Sequence, residues 1–206
     1  MISRRLVPAL LLVALGILLT ATAHAALPSP ATSFVDPCLR VCPGGDMGIH
    51  VVVRDASNNP VSLSTVSIHF CTCPGVVLCP PGPNDPYTIN GCMVSAVTNA
   101  VGVLDLGIRA GGVCVDSLLV FADGILLAVR PAVVSPDQDG NLTVNAVDNG
   151  ILGAKLGTTD PTGDLNCSGL VDIGDPNALL AHSGHSCQAV VPVQPGSWGT
   201  IKIHYR

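Results

Sequence analysis

The sequence predicts a mainly β fold, in which an antiparallel β-sandwich is followed by a small α-helical calcium module. Three observations support this prediction. Short segments of alternating apolar and polar residues are separated by turn residues between residues 47 and 130. The chain is poor in aromatic residues (3%) but has 22 glycines and 17 prolines, which favours tight turns and short strands. One unit rich in Asp and Asn occurs twice between residues 137 and 187.

The N-terminus has the three parts of a secretory signal peptide. Arg4 and Arg5 precede an apolar run over residues 6–19, and a small-any-small pattern ends at Ala25. The run is shorter than the roughly 20 residues that a membrane-spanning helix needs. We therefore expect residues 1–25 to be removed, and the mature protein to be secreted or held at a bacterial-type cell surface without being an integral membrane protein.

The charged residues argue against a nucleic-acid partner. Every acidic residue is an aspartate, and without Arg4 and Arg5 the 14 aspartates face 7 basic residues, which gives a formal charge of −7. Phosphate binding needs clustered Lys and Arg, which this chain lacks. The acidic balance suits a protein that binds hard cations.

The nine cysteines all follow the signal peptide and predict a disulfide framework, because disulfides persist in oxidising compartments. A zinc site around residues 71–79 is the weaker alternative, since zinc sites usually show paired Cys-x2–4-Cys motifs. Nine is an odd number, so one thiol stays free or pairs with another chain. The candidates are Cys38, Cys42, Cys71, Cys73, Cys79, Cys92, Cys114, Cys167 and Cys187.

Residues 26–37 are predicted to be a linker rich in Pro, Ser and Thr, and residues 38–134 to form the β-sandwich. Strand patterns occur around Val51, over residues 66–70, from Met93 and over residues 104–108. Residues 117–129 predict a hairpin with Asp123-Gly124 as its two-residue turn.

Each copy of the repeat, within residues 135–187, places oxygen-bearing side chains at the spacing of a calcium loop. Such a loop supplies side chains from positions 1, 3, 5 and 12 and a backbone carbonyl from position 7. The predicted ligands of the first ion are Asp137, Asp139, Asn141, Thr143 (through its carbonyl) and Asp148. Those of the second ion are Asp164, Asn166, Ser168, Leu170 (through its carbonyl) and Asp175. The repeat therefore predicts two Ca²⁺ ions as cofactors, because mere turn formers would not match twice over.

The two loops differ at position 6, where a sharp turn favours glycine. Gly169 occupies this position in the second loop and Leu142 in the first. We therefore expect an irregular first loop, in which Gly140 takes the turn instead. Val171 at position 8 is expected to pair its backbone with the other loop.

Two tandem loops that close on Asp, each followed by a helix, resemble a type I dockerin (a paired F-hand) over about residues 135–187. The resemblance implies folding on calcium and binding of a cohesin partner. The family's partner-recognising positions carry Ala146-Val147 and residues 173–174 here, and we expect these to pack against the β-sandwich. Cys167 and Cys187 are expected to pair with each other.

The segments VVVRDASNNPVSLSTVSIHF, from Val51, and VTNAVGVLDLGI, from Val97, resemble bacterial Ig-like domains of the invasin type. The resemblance covers about residues 47–129 and implies an Ig-like sandwich. Such domains serve as spacers, adhesin stalks and fibre subunits, so the resemblance does not choose among these functions.

Two further segments leave alternatives open. The motif His182-x-x-His185-x-Cys187 could bind a transition metal, but His182 aligns with Lys155 of the first copy, so we favour a cation near a helix C-terminus. Residues 188–206 are predicted to be a linker and a strand, which completes this sandwich or a neighbour's, or serves as a surface-sorting signal.

No catalytic constellation stands out, since the chain has no glutamate and no G-x-S-x-G or H-E-x-x-H motif. We therefore expect a secreted, non-enzymatic, calcium-binding structural or interaction protein without a small-molecule substrate. One alternative is an extracellular fibre subunit assembled by donation of the C-terminal strand. The other is a dockerin-bearing subunit of a cohesin scaffold. The expected partner is accordingly a sister subunit or a cohesin-like domain.

Overall fold

The computed structural model describes residues 26–187, and strands predominate over helices among them, which confirms the prediction of a mainly β fold. The predicted signal peptide (1–25) and the predicted C-terminal linker and strand (188–206) lie outside the described residues. Within residues 26–187, no helix combines the length and the apolar character needed to cross a membrane.

The strands of the described residues are β1 (Phe34–Val35), β2 (Leu39–Arg40), β3 (Gly48–Val52), β4 (Thr65–His69), β5 (Val77–Leu78), β6 (Tyr87–Asn90), β7 (Met93–Val97), β8 (Val103–Gly107), β9 (Ala110–Gly111), β10 (Leu118–Ala122), β11 (Ile125–Arg130) and β12 (Val133–Val134). The helices are α1 (Ala146–Gly153) and α2 (Gly174–Ala181).

Two antiparallel sheets enclose the main core. One has the strand order β1-β3-β8 and the other the order β11-β10-β4-β7-β6. Alternate residues of each strand point inwards, so that Val51 of the first sheet packs in one cluster with Ile68 and Val120 of the second. The alternation seen in the sequence is thus the alternation between core and solvent.

The predicted hairpin is confirmed. Strands β10 and β11 pair from Ala122↔Ile125 outwards, around Asp123 and Gly124. Both turn residues have positive φ (48° and 80°), as a two-residue hairpin turn of type I′ requires.

The linker prediction is wrong for its last residues. Residues 34–35 form β1 and pair with β3, with Val35 opposite Val51. Arg130 donates from Nη2 to the carbonyl oxygen of Val35 and from Nε to that of Asp36, both at 2.6 Å. Val35 is buried, so this short segment gains enough from packing to be ordered despite its composition.

The repeat module joins the sheets without a spacer. Strand β12 pairs in parallel with β2, and Val134 at its end packs into a second core cluster. The other buried members of this cluster come from the loops and helices of the repeat: Val144, Leu152, Leu165, Val171 and Leu179.

Four disulfides are present, and they are typical of a protein that matures in an oxidising, extracellular compartment. Their pairs are Cys38–Cys167, Cys71–Cys92, Cys73–Cys114 and Cys79–Cys187. The predicted Cys167–Cys187 pair is wrong, because each of these cysteines lies against the β-rich part and bonds to a cysteine there. The ninth cysteine, Cys42, is unpaired and buried.

Candidate metal centre

The two loops of the repeat follow the same backbone hydrogen-bonding scheme, which begins at position 1. The aspartate at this position accepts a hydrogen bond from the backbone N–H at position 6. Leu142 donates to Oδ2 of Asp137 at 2.8 Å, and Gly169 donates to Oδ2 of Asp164 at 2.6 Å. Each loop thus folds back around its first carboxylate.

The aspartate at position 12 closes each loop in the same way. Asp148 accepts hydrogen bonds from the N–H groups of Asp139 at 3.2 Å and Asn145 at 2.8 Å. Asp175 accepts bonds from the equivalent positions 3 and 9 of the second loop, at 3.1 and 2.8 Å. The two copies therefore agree in structure as well as in sequence.

These four carboxylates are withdrawn from solvent. Asp137, Asp148 and Asp175 are fully buried, and Asp164 is 8% exposed. Burial, together with the neighbouring Asp139 and Asp148 carboxylates, raises the pKa of Asp137 to about 6. Oxygens of Asp137, Asp139 and Asp148 lie within 4.8 Å of one another. The donor set consists of hard oxygens that repel one another, which fits a hard cation such as Ca²⁺.

The predicted ligands at positions 3, 5 and 7 shape the loops from inside. In the first loop, Asn141 donates from Nδ2 to Asp139 at 2.9 Å and accepts at Oδ1 from the N–H of Thr143 at 2.9 Å. In the second loop, Ser168 donates from its hydroxyl to the carbonyl of Leu170 at 3.0 Å. The N–H of Ser168 in turn donates to Oδ1 of Asn166 at 2.9 Å.

The expected irregularity of the first loop is wrong. Gly140 and Leu142 both have positive φ (73° and 68°), and so do Cys167 and Gly169 at the matching positions of the second loop (61° and 90°). Gly140 therefore does not replace Leu142 in the turn. Leu142 adopts the left-handed conformation with a side chain that is only 8% exposed, and this burial offsets the backbone cost.

The side chain at position 9 of each loop accepts a hydrogen bond at the start of the following helix, although only Asn145 is the N-cap of its helix. Asn145 accepts at Oδ1 from the N–H of Val147 at 2.8 Å and forms a capping box with Asp148 at the start of α1. Asp172 accepts at Oδ1 from the N–H of Gly174 at 2.7 Å at the start of α2. The aspartate at position 12 thus lies both in the loop and in the first turn of the following helix. The loop and the helix are therefore expected to become ordered together.

The two copies exchange backbone hydrogen bonds at position 8. Val144 donates to residue 185 and accepts from residue 184, both at 2.9 Å. Val171 accepts from residue 157 at 2.8 Å and donates to residue 158 at 2.9 Å. The prediction that Val171 pairs with the other loop is therefore wrong. Val171 pairs instead with residues 157–158, which follow helix α1 of the first copy.

The first loop is seated on strand β9, a contact that the sequence does not signal. A Cβ atom on Gly111 would collide with Oδ2 of Asp137. The N–H of Gly112 donates to the backbone carbonyl of Asp137 at 2.9 Å, and Cα of Gly140 lies close to Gly112. Glycines at the sheet edge thus leave space for the loop.

The apolar residues at positions 10 and 11 do not pack against the β-rich part. Val147 is 56% exposed and Ile173 is 72% exposed, so this prediction is wrong. The loops contact the β-rich part through a different face, where Leu142 is buried. The disulfides Cys38–Cys167 and Cys79–Cys187 link the two parts there. Val147 and Ile173 therefore face solvent.

The predicted His182-x-x-His185-x-Cys187 motif is divided in the structure. Cys187 is bound to Cys79, whereas Nδ1 of His182 lies 2.9 Å from Oδ2 of Asp46. Oδ1 of Asp46 lies 3.3 Å from Nδ1 of His185, which is also 3.6 Å from Sγ of Cys42. Cys42 and Asp46 are far from the motif in sequence, so local spacing did not indicate them.

Comparison with protein-family models, with curated proteins and with solved structures finds no match in any of the three. The likenesses to type I dockerins and to invasin-type domains thus stay sequence-based predictions.

Proposed function

We propose that this protein is a secreted, non-enzymatic, calcium-binding structural or interaction protein, in which two Ca²⁺ ions order a dockerin-like module mounted on an Ig-like β-sandwich. The observation that supports this most strongly is the same hydrogen-bonding scheme around buried aspartates in two successive loops. The ten predicted ligand residues would hold the two ions.

A pair of ordinary turns explains these loops less well. Asp and Asn side chains in turns usually remain in water, where neither the aspartate charge nor the amide pays a burial cost. Here, Asp137 and Asp148 are fully buried, and among residues 26–187 no Lys or Arg side chain donates a hydrogen bond to either. Backbone N–H groups compensate part of the cost of burying these charges, and a divalent cation would compensate the rest.

Calcium would act on the fold, because the closing carboxylates also start the helices. Asp148 lies in the first turn of α1 and Asp175 in the first turn of α2. Without the ion, repulsion among the carboxylates opposes closure of the loop and, with it, the capped start of the helix. Binding energy for the ion would therefore appear as stability of the module.

Chelation tests this proposal. Removing calcium with EGTA is expected to lower the melting temperature and the helical circular-dichroism signal, and adding Ca²⁺ alone should restore both. At a calcium concentration about 100 times Kd, each site contributes about 2.7 kcal/mol, or roughly 5–10 °C.

Asp148→Asn should remove the calcium response of the first site. Asp105→Asn is the matched control, because the Asp105 side chain is 76% exposed and lies outside the loops. A calcium-free sample that keeps both its melting temperature and its helical signal would refute the proposal.

A docking role is the second candidate, and one observation favours it. Val147 and Ile173 are exposed at the positions that recognise the partner in the dockerin family, and Leu180 on α2 is 57% exposed. Large apolar side chains in such positions are typical of protein-binding surfaces. These residues would offer an apolar contact in place of the family's Ser-Thr.

Pull-down against cohesin domains, with and without Ca²⁺, tests docking. The double variant Val147→Asp and Ile173→Asp should lose calcium-dependent binding. Val115→Asp is the control, because Val115 is 65% exposed but lies in the β-rich part. Absence of binding by the native chain, or equal binding by the double variant, would exclude cohesin docking through this surface.

A further inference from the structure

The unpaired cysteine lies in a cluster of four metal-ligating side chains where the repeat meets the β-rich part. Cys42 follows β2 and Asp46 precedes β3, while His182 and His185 follow α2. One ligand atom of each side chain, a sulfur, a carboxylate oxygen or a ring nitrogen, lies within 4.8 Å of the other three. We propose that these four residues bind one transition-metal ion, for which Zn²⁺ is the best fit.

The distances match a tetrahedral ion. Bonds of about 2.3 Å to sulfur and about 2.0 Å to nitrogen or oxygen give ligand separations of about 3.5 Å for S···N and about 3.3 Å for N···O. Sγ of Cys42 lies 3.6 Å from Nδ1 of His185, which lies 3.3 Å from Oδ1 of Asp46. His182 completes the set, with Nδ1 at 2.9 Å from Oδ2 of Asp46 and its ring centroid 5.3 Å from that of His185.

The donor chemistry selects against calcium. One thiolate, two imidazoles and one carboxylate form a borderline-soft set that suits Zn²⁺, whereas Ca²⁺ takes oxygen ligands. Four protein ligands fill a tetrahedral shell, which is the pattern of a structural site and leaves no open position for catalysis.

The backbone after Cys42 leaves room for the imidazole of His185. The N–H of Gly45 donates to the backbone carbonyl of Cys42 at 2.8 Å, which closes a tight turn directly after the cysteine. A Cβ on Gly44 would lie 2.7 Å from Nδ1 of His185, so only glycine leaves room for the imidazole there. Gly45 has a φ of 79°, which completes the turn after Pro43.

The two histidines are held in place by contacts of the segment that follows α2. The carbonyl of His185 accepts a hydrogen bond from the N–H of Val144 at 2.9 Å, and the Cys79–Cys187 disulfide follows two residues later. His182 directly follows the last turn of α2. Val144 lies in the first calcium loop, at a position that is not a predicted ligand, so this loop and the disulfide together hold the histidines near Cys42 and Asp46.

A Cys-His-Asp catalytic triad does not explain the cluster. In a triad, the nucleophile and the carboxylate approach opposite nitrogens of one imidazole. Here, Cys42 and Asp46 approach the same nitrogen, Nδ1, of His185. Cys42 is also 0% exposed, so neither a substrate nor a second chain reaches its sulfur.

The ion would form a third link between the two parts of the chain, besides the disulfides Cys38–Cys167 and Cys79–Cys187. It would also account for the odd number of cysteines, because the thiol without a disulfide partner has a role as a ligand.

Cobalt substitution tests the proposal on tag-free, disulfide-intact protein. Titration with Co²⁺ should show, at one equivalent, a thiolate-to-cobalt charge-transfer band and the intense visible bands of a tetrahedral ion, and Zn²⁺ should abolish both. The calcium loops contribute only oxygen ligands, so they cannot produce the charge-transfer band. Cys42→Ser should abolish it.

His182→Gln and His185→Gln should each weaken the apparent affinity by at least about 10–100-fold, the loss that even outer-shell partners cause. His50→Gln is the matched control, because His50 forms a similar pair with Asp105 at 2.6 Å but has no cysteine beside it. Near-ultraviolet circular dichroism checks the folding of each variant, and the histidine variants suffice if Cys42→Ser does not fold.

Native protein with a reduced Cys42 thiol that shows no charge-transfer band would overturn the proposal. So would a band that survives Cys42→Ser, or one that weakens as much in His50→Gln as in His185→Gln. The charge-transfer band reports only this site, and the response of the melting temperature to EGTA reports the loops, so failure of this site and failure of calcium binding are told apart.

Discussion

Replacing Leu142 by glycine provides the sharpest test of how the first calcium loop is built. Sequence comparison of the two loops suggests that glycine would repair a defect, since Gly169 occupies the same position in the second loop. The structure leads to the opposite expectation for stability. Leu142 already has the required φ of 68°, and its side chain is buried next to Gly111.

Two opposing terms determine the size of the effect. Deleting a buried leucine side chain costs about 2–5 kcal/mol, while relief of a left-handed backbone conformation regains about 1–2 kcal/mol. At the middle of these two ranges, Leu142→Gly should therefore destabilise the protein by about 2 kcal/mol, a fall in melting temperature of roughly 4–8 °C. Leu142→Ala keeps the backbone cost and should lose about 2–5 kcal/mol.

The assay is thermal unfolding in saturating calcium, with the order of stability native, then Leu142→Gly, then Leu142→Ala. Gly169→Ala isolates the backbone term, because a Cβ there meets nothing within 4 Å while φ is 90°. It should cost about 1–2 kcal/mol. If Leu142→Gly is as stable as the native protein, the buried side chain does not offset the strain and the reasoning is wrong.

Two further predictions concern the junction between the sheets and the repeat. Gly111→Ala should lower the stability and weaken calcium binding at the first site, because the new methyl group displaces Asp137. Gly48→Ala is the control, because no atom lies near its Cβ. This control should change neither the stability nor the calcium binding measured by calorimetric titration. The double variant Cys38→Ser and Cys167→Ser opens a disulfide that spans 129 residues and should lose about 4–5 kcal/mol in urea unfolding. Non-reducing peptide mapping that links either cysteine elsewhere would contradict this pairing.

Local patterns in the sequence predicted the elements that depend on local physics. The hairpin at Asp123-Gly124 follows from a turn type that needs two positive φ values, and strands β4 and β8 follow from alternation with period two. The predicted calcium ligands likewise rest on spacing within 12 residues, and the hydrogen bonds of Asp137 and Asp148 agree with that spacing.

Predictions failed where the outcome depended on which surfaces meet. The linker prediction missed β1, since the burial of Val35 depends on a strand that lies later in the chain. The sequence indicates a defect at Leu142 because Gly111, which leaves room for the buried leucine side chain, is distant in sequence. Val147 and Ile173 were expected to be covered because they are apolar, although the seating of the loops turns them to solvent.

The sequence by itself determined the β-rich fold class, the duplicated loops and the requirement for an oxidising compartment, because each depends on composition or on short-range spacing. Only the tertiary structure decided the disulfide pairs and the assembly of Cys42 and Asp46 with His185. Cys42 and Asp46 lie more than 100 positions from His185, as do the partners of the Cys38–Cys167 and Cys79–Cys187 disulfides from each other. They meet because the first loop packs on β9. Pairing over such separations is set by packing, which no local pattern records.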